Sequence, residues 1–244
     1  MKNTRQPKGG DVRADPSWRP LYAIGSGLAL AYVVMVAIAL VLVFAVPRPP
    51  AVGGGAVLDY IASHKGVYLA ELICFVGLSI PALGVFLAVA ISLKDLDKSL
   101  ATIGGMVATA SEVLALALGS SPQSLSWGLV YLSDQYVASS EASQRLALAT
   151  AAEGFLANAN AVSPVGVLTA LGILLLSLCM LRGIYHRGVA WLGIITGGLG
   201  TVFEALRPQL GIAYAIYGLL LPAWFVAVGL TLLRLGRPPS GSAA

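Results

Sequence analysis

Six runs with no charge or only one, each about long enough to cross a lipid bilayer, constrain this chain more than any other feature. A helix needs about 20 apolar residues to span the ~30 Å hydrocarbon core. Leu21–Val46 lies between Arg19-Pro20 and Pro47-Arg48, and Gly66–Leu93 carries Glu71 and Pro81 and ends at Lys94. Ser99–Gly119 carries Glu112, and Ser163–Leu181 is closed by Arg182. Gly188–Leu206 carries Glu204 before Arg207-Pro208, and Gly211–Leu233 contains Pro222 and ends at Arg234. Composition agrees. Only 11% of the 244 residues are charged and 57% are hydrophobic, whereas a soluble domain carries about a quarter charged residues to face water. The same values exclude disorder and a disulfide-stapled secreted module. The expected fold is all-α: a polytopic membrane bundle of six transmembrane helices plus an exterior amphipathic helix. Its first apolar run of 26 residues, 21 to 46, exceeds the roughly 7–15 of a signal-peptide core, so it is read as a retained span.

Lysine and arginine set the orientation, because they favour the cytoplasmic side. With the N-terminus inside, Lys2, Arg5, Lys8, Arg13, Arg19, Lys94, Lys98, Arg182, Arg187, Arg234 and Arg237 are cytoplasmic. Arg48, Lys65, Arg145 and Arg207 are outside, so the 15 basic residues divide eleven to four. Both termini are therefore expected in the cytoplasm. The net charge of +4 follows from this topology. Nucleic-acid binding is disfavoured, since no face gathers basic residues with interleaved aromatics.

The domain reading is a disordered tail over 1–17, a six-span domain over 18–235 and a second tail over 236–244. Trp18 and Tyr22 fall where the first helix enters the interface. The short links 94–98 and 182–187 make spans two and three one hairpin and spans four and five another. The connection over 120–162 is too long to be an unstructured loop. Within it Glu141–Asn158 reads as a helix, with Ser139 or Ser140 as cap, an i,i+4 pair of Glu141 and Arg145, and a face of Leu148, Ala152, Phe155 and Ala159. Upstream, Leu125–Val137 holds Trp127, Tyr131 and Tyr136, an interfacial composition. The helix either lies on the outer leaflet or extends the fourth span outward; periodicity gives a face but no depth. Three spans, a long loop and three spans resemble an inverted repeat, but Pro81 and Pro222 are not at equivalent positions and the halves share no motif.

Ionisable side chains inside spans are expensive and each needs an account. At 1.5 Å per residue, Glu71 lies about 8 Å and Glu112 about 11 Å below the outer surface, with Glu204 only a few ångströms deep. Arg207 borders the same layer, and Tyr214 and Tyr217 enter it from span six. One reading is an outward cavity that binds a cation or relays a proton, since clustered carboxylates raise one another's affinity for protons. The other is that each glutamate pairs with an arginine or hydroxyl and fastens the bundle.

Metal, haem and disulfide readings find no support. His64 is expected outside and His186 inside, so they cannot share a metal or haem. Cys74 is expected in the outer half of span two and Cys179 near the inner end of span four, beyond the ~7 Å a disulfide tolerates. No nucleophile elbow, phosphate loop or dinucleotide fingerprint occurs, so neither a cofactor nor an enzymatic activity is expected. Gly193 and Gly197 on span five, and Gly104 and Gly105 on span three, are expected at close helix contacts. Pro81 and Pro222 are expected to bend their helices.

Leu132-Ser133-Asp134-Gln135-Tyr136, Gln144-Arg145, Ala152-Glu153, Met180-Leu181-Arg182 and Ala190-Trp191-Leu192-Gly193-Ile194 resemble a bacterial multi-pass family catalogued as domain of unknown function 4386. The resemblance covers about residues 125–235 and implies a bacterial cytoplasmic-membrane protein of about six helices. It brings no activity or site residue. The expectation is an integral membrane protein that binds or senses something at the outer leaflet, with the lipid bilayer as partner. The alternative is a proton- or cation-coupled carrier of small solutes using the outer-half carboxylates.

Overall fold

A computed structural model describes residues 14–121, 124–161 and 163–238. Among them, six helical segments are long and apolar enough to cross a membrane, and the chain is a membrane-embedded all-α bundle. Helix α1 is Arg19–Ala45, α2 Gly54–Gly77, α3 Ser79–Leu93 and α4 Lys98–Leu118. A two-residue antiparallel pair, Ser120–Ser121 with Leu125–Ser126, leads into α5, Trp127–Ala138, and α6, Ala142–Asn160. Then come α7, Pro164–Met180; α8, Arg187–Ala205; the single-turn α9, Arg207–Leu210; and α10, Tyr214–Gly236.

Short connections make consecutive helices neighbours, and here they close a ring. Helix α1 packs on α3, α3 on α4, α4 on α7, α7 on α8, α8 on α10, and α10 returns to α1. Aromatic side chains fill the middle. Tyr32 stacks on Phe225 with centroids 3.8 Å apart, and Phe86 meets both Phe225 and Trp224. Both hairpins expected from the short links are present. At the end of the ring bearing those links, Lys94 bridges Asp15 at 2.9 Å and Arg182 pairs with Asp97. Gly236 packs on Ala23 there, so the described ends of the chain lie at the same end of the bundle.

The connection between α4 and α7 departs from expectation. It is two helices, and α2 begins at Gly54, twelve residues before Gly66. The stretch 54–65 therefore belongs to a helix that bends at His64, where the backbone leaves helical geometry. With α5 and α6 it builds a cap with a second hydrophobic core of Val57, Leu58, Ile61, Leu125, Leu129, Ala152 and Leu156, extending down α2 to Tyr68 and Leu72. Helix α6 buries Ala152, Leu156 and Ala159, while Phe155 is 40% exposed with its ring against Gly128. The cap position is Glu141 rather than Ser139 or Ser140, and no side chain bonds there. Arg145 faces Tyr136, 4.4 Å from its ring, and Asp59 at 4.0 Å, rather than Glu141. Helices α6 and α7 are separate, with Ser163 capping α7 through Gly166 N–H.

Two smaller differences have simple causes. Residues 16–18 form a 3-10 turn capped by Asp15, so the part of the expected tail from residue 14 onward is ordered; 1–13 and 239–244 lie outside the described residues. The second span is divided between α2 and α3 at Leu78, because Pro81 offers no N–H and its ring crowds the carbonyl four residues back.

The four glycines singled out above sit at contacts within the chain. A β-carbon on Gly197 would lie 2.5 Å from Leu174 N and 2.7 Å from Ala170 O, both backbone atoms of α7. One on Gly105 would meet Ala90 at 2.5 Å, one on Gly104 would meet Leu175 and Leu176 at 3.1 Å, and one on Gly193 would overlap Ser177. Gly198, next in sequence, has nothing within 4 Å. Gly197→Ala is expected to lower stability by about 1–3 kcal/mol through overpacking against backbone, while Gly198→Ala holds or raises it, since alanine is the better helix former. Thermal unfolding followed by a thiol-reactive dye, which reports exposure of the buried Cys74 and Cys179, distinguishes the two.

Candidate functional site

A carboxylate held in an apolar bundle must be matched by a cation or by hydrogen-bond donors, or else be protonated. The three intramembrane glutamates are all buried, at 3–6% exposure, and their surroundings differ.

Glu204 lies in the last turn of α8, where its carboxylate pairs with Arg207 and accepts a 2.6 Å hydrogen bond from Tyr214 Oη. The Arg207 guanidinium also sits over the Tyr214 ring at 5.5 Å. Behind the carboxylate is Gly166, in the first turn of α7, where a β-carbon would come within 2.4 Å of Glu204 Cδ. Only glycine leaves room for the acid against that helix end, whose positive dipole favours it. Tyr217, buried one turn along α10, contacts Gly200 and lies 5.9 Å from the Tyr214 ring. Glu204 is therefore fully matched.

Glu112 meets the same end of α7 from α4. Thr169 of α7 donates to its Oε1 at 3.2 Å and lies 2.9 Å from Ser111 Oγ, and Ser79 of α3 is beside the same carboxyl. Among the described residues no cation pairs with Glu112. Tyr32 and Tyr217 are within electrostatic reach of it. Thr169 and Gly166 are three residues apart on α7 and so share one face of it: α4 brings Glu112 to Thr169 and α8 brings Glu204 to Gly166.

Glu71 does not join them. It lies on α2, outside the ring, within electrostatic reach of Tyr60, Tyr68 and Cys74. Among the described residues it has no ion-pair or hydrogen-bond partner. The structure thus brings Glu112, Glu204, Arg207, Tyr214 and Tyr217 into one polar layer and leaves Glu71 in another. Tyr32, Ser79 and Thr169 belong to that layer too; single hydroxyls in otherwise apolar runs carry no sequence signal that marks them.

A further polar junction joins the cap to the bundle. Tyr68 Oη donates to Ser124 O and accepts from Ser126 N–H, each at 2.9 Å. Asn160 Nδ2 reaches Leu156 O, Ser124 Oγ and Ala51 O, and Glu153 accepts from Gly54 N–H at 2.6 Å, which caps α2. His64 stacks on Tyr60 at 4.6 Å, and His186 caps α8 through Gly188 N–H. Among the described residues no three His, Cys, Asp or Glu side chains gather as metal ligands would.

No family model, curated protein or solved structure matches the chain.

Arg207→Met strands a buried carboxylate and is expected to cost about 3–5 kcal/mol. Adding Glu204→Gln should recover much of that loss, because the two residues form one coupled pair. Tyr214→Phe, which removes a hydrogen bond to a charged group, is expected to cost about 1.5–3 kcal/mol. Thermal unfolding in one detergent measures all three.

Proposed function

We propose that the chain is a non-enzymatic protein of the bacterial cytoplasmic membrane, with both termini cytoplasmic, that binds or senses a ligand at the outer leaflet through its helical cap. The resemblance of residues 125–235 to the multi-pass family named above and the eleven-to-four division of basic residues support the setting. The observation that carries the reading is the cap's own hydrophobic core. A link between antiparallel spans needs only about 2–8 residues; this one builds two helices and recruits the first half of a third. Because α2 runs from the cap to the side of α1, a ligand seated on the cap has a direct mechanical route into the bundle.

The test is thermal stabilisation of the purified protein across a solute library, since a ligand that binds only the folded state raises Tm, followed by hydrogen exchange with each stabilising solute. The expected result is at least one such solute, with new amide protection in 54–63, 127–138 and 142–160. Protection confined to α4, α7 and α8 would overturn the cap as the binding element.

A second reading, coupled transport of a small solute with a proton or cation, rests on Glu112, a buried acid with hydroxyl neighbours in place of a cation. Intramembrane acids of this kind mark ion and proton pathways. Glu112→Gln is expected to abolish a pH-dependent solute flux in reconstituted vesicles, and flux that survives the substitution removes Glu112 from any coupling role.

A further inference from the structure

The outer surface of α4 carries a furrow that neither reading uses. Between α3 and α4 it is lined by Leu87, Ala90 and Ile91 on one side and Thr102, Met106 and Thr109 on the other, and Lys94 closes one end. Its floor is low because Gly105 and Ala90 are both small, and a β-carbon on Gly105 would come within 2.5 Å of Ala90. A second groove, lined by Met106, Thr109, Ala110, Val113 and Leu114, shares Met106 and Thr109 with the first and continues it. From Ala101 to Leu114 the two extend for about 20 Å of helix. That is somewhat more than one leaflet of a ~30 Å hydrocarbon core.

The charge along this furrow lies at one end, where the link 94–98 holds Lys94 and Lys98 together with the exposed Asp95 and with Asp97, which Arg182 engages. Lys94 lies at one end, with its side chain 36% exposed, and the exposed Lys98 begins α4 beside it with no acidic partner among the described residues. The far end, at Val113 and Leu114, is apolar. Lys94 has one carboxylate partner, Asp15, at 2.9 Å and lies 5.3 Å from the Trp18 ring. The lysine and Ser17 hold the Asp15 carboxyl down to about 2, so this pair persists at neutral pH and an incoming anion has to share or displace it.

We propose that the α3–α4 furrow is a binding site for one anionic phospholipid, its acyl chain laid along Gly105, Met106 and Thr109 and its phosphate on Lys94. A groove one leaflet long, greasy along its length and cationic at one end, has the shape and charge order of such a molecule, and cationic pockets between spans recognise anionic headgroups in this way. A zwitterionic lipid fits the furrow equally well but carries its own cation to the lysine. Asp15 then acts as the competing anion for Lys94.

The test uses full-length protein, stripped of lipid in a neutral detergent and titrated with phosphatidylglycerol, phosphatidylcholine or inorganic phosphate. Phosphatidylglycerol is expected to raise Tm by about 3 °C or more beyond phosphatidylcholine, with inorganic phosphate without effect. Lys94→Gln should erase that excess and Asp15→Asn enlarge it. Thr109→Trp, which fills the furrow away from the ion pair, should erase it while leaving the lipid-free Tm unchanged. The proposal is overturned by equal shifts from the two lipids, by a shift that inorganic phosphate reproduces, or by an excess that Thr109→Trp leaves intact. A lipid-free dimer that Thr109→Trp converts to monomer would overturn it as well, because the furrow would then hold a second copy of the chain.

Discussion

Wherever hydrocarbon is the solvent, every backbone N–H and C=O must find its partner within the protein, and a helix satisfies this within one segment. The rest of this structure is a consequence of that requirement. Once the spans are helices, apolar surface no longer drives them together, since lipid tails are as greasy as leucine; what remains is close packing and a few polar contacts. Hence the reliance on small residues. Gly172 meets Ala108 across α4 and α7, Gly104 meets Leu176 on the same seam, and Gly197 meets the α7 backbone from α8. Short links fix which helices are neighbours, and the return of α10 to α1 closes the ring around its aromatic centre.

What the sequence made legible follows from which forces are periodic or cumulative. Hydropathy summed over twenty residues points to the six helical segments that are long and apolar enough to cross a membrane, and the glycines mark the tight seams because a missing side chain has a single consequence for packing. The stretch 54–65 escaped because Asp59, Ser63, His64 and Lys65 lower its hydropathy, although its buried face is apolar: Val57, Leu58 and Ile61 are fully enclosed. Periodicity predicts α6 but puts Phe155 on its buried face, where the structure has Leu156, one position on. Alanines on every side of that helix leave little to set its rotation. Depth along a helix can be counted from its ends, whereas radial direction depends on packing. Glu71 and Glu112 therefore looked like neighbours at similar depth and proved to belong to different surroundings.

The same difference decides how each buried acid is tolerated. Glu204 sits where the chain leaves α8 and turns back, so Arg207 and Tyr214 reach it from the turn itself. Glu112 lies deeper on a straight helix, where short links bring no charged residue within reach, and only hydroxyls from α3 and α7 meet it. Thr169 and Gly166, one turn apart on α7, touch the two acids from a single helix, so a shift of α7 would disturb both.

Helix α7 is poorly placed to shift. It is wedged between α4 and α8 with backbone against small residues on both flanks, and interfaces packed this closely change by discrete jumps rather than by sliding. The backbone irregularities lie elsewhere: at the His64 bend and the break at Leu78 in the second span, and at Pro222, which removes one hydrogen bond within the continuous α10. The α4–α7–α8 slab thus forms a fixed frame holding Glu112 and Glu204. Helix α2, which joins the cap to the bundle, carries Glu71 and stands outside the ring. The third buried acid therefore lies on the helix with the irregular backbone, and the other two line the closely packed α4–α7–α8 slab.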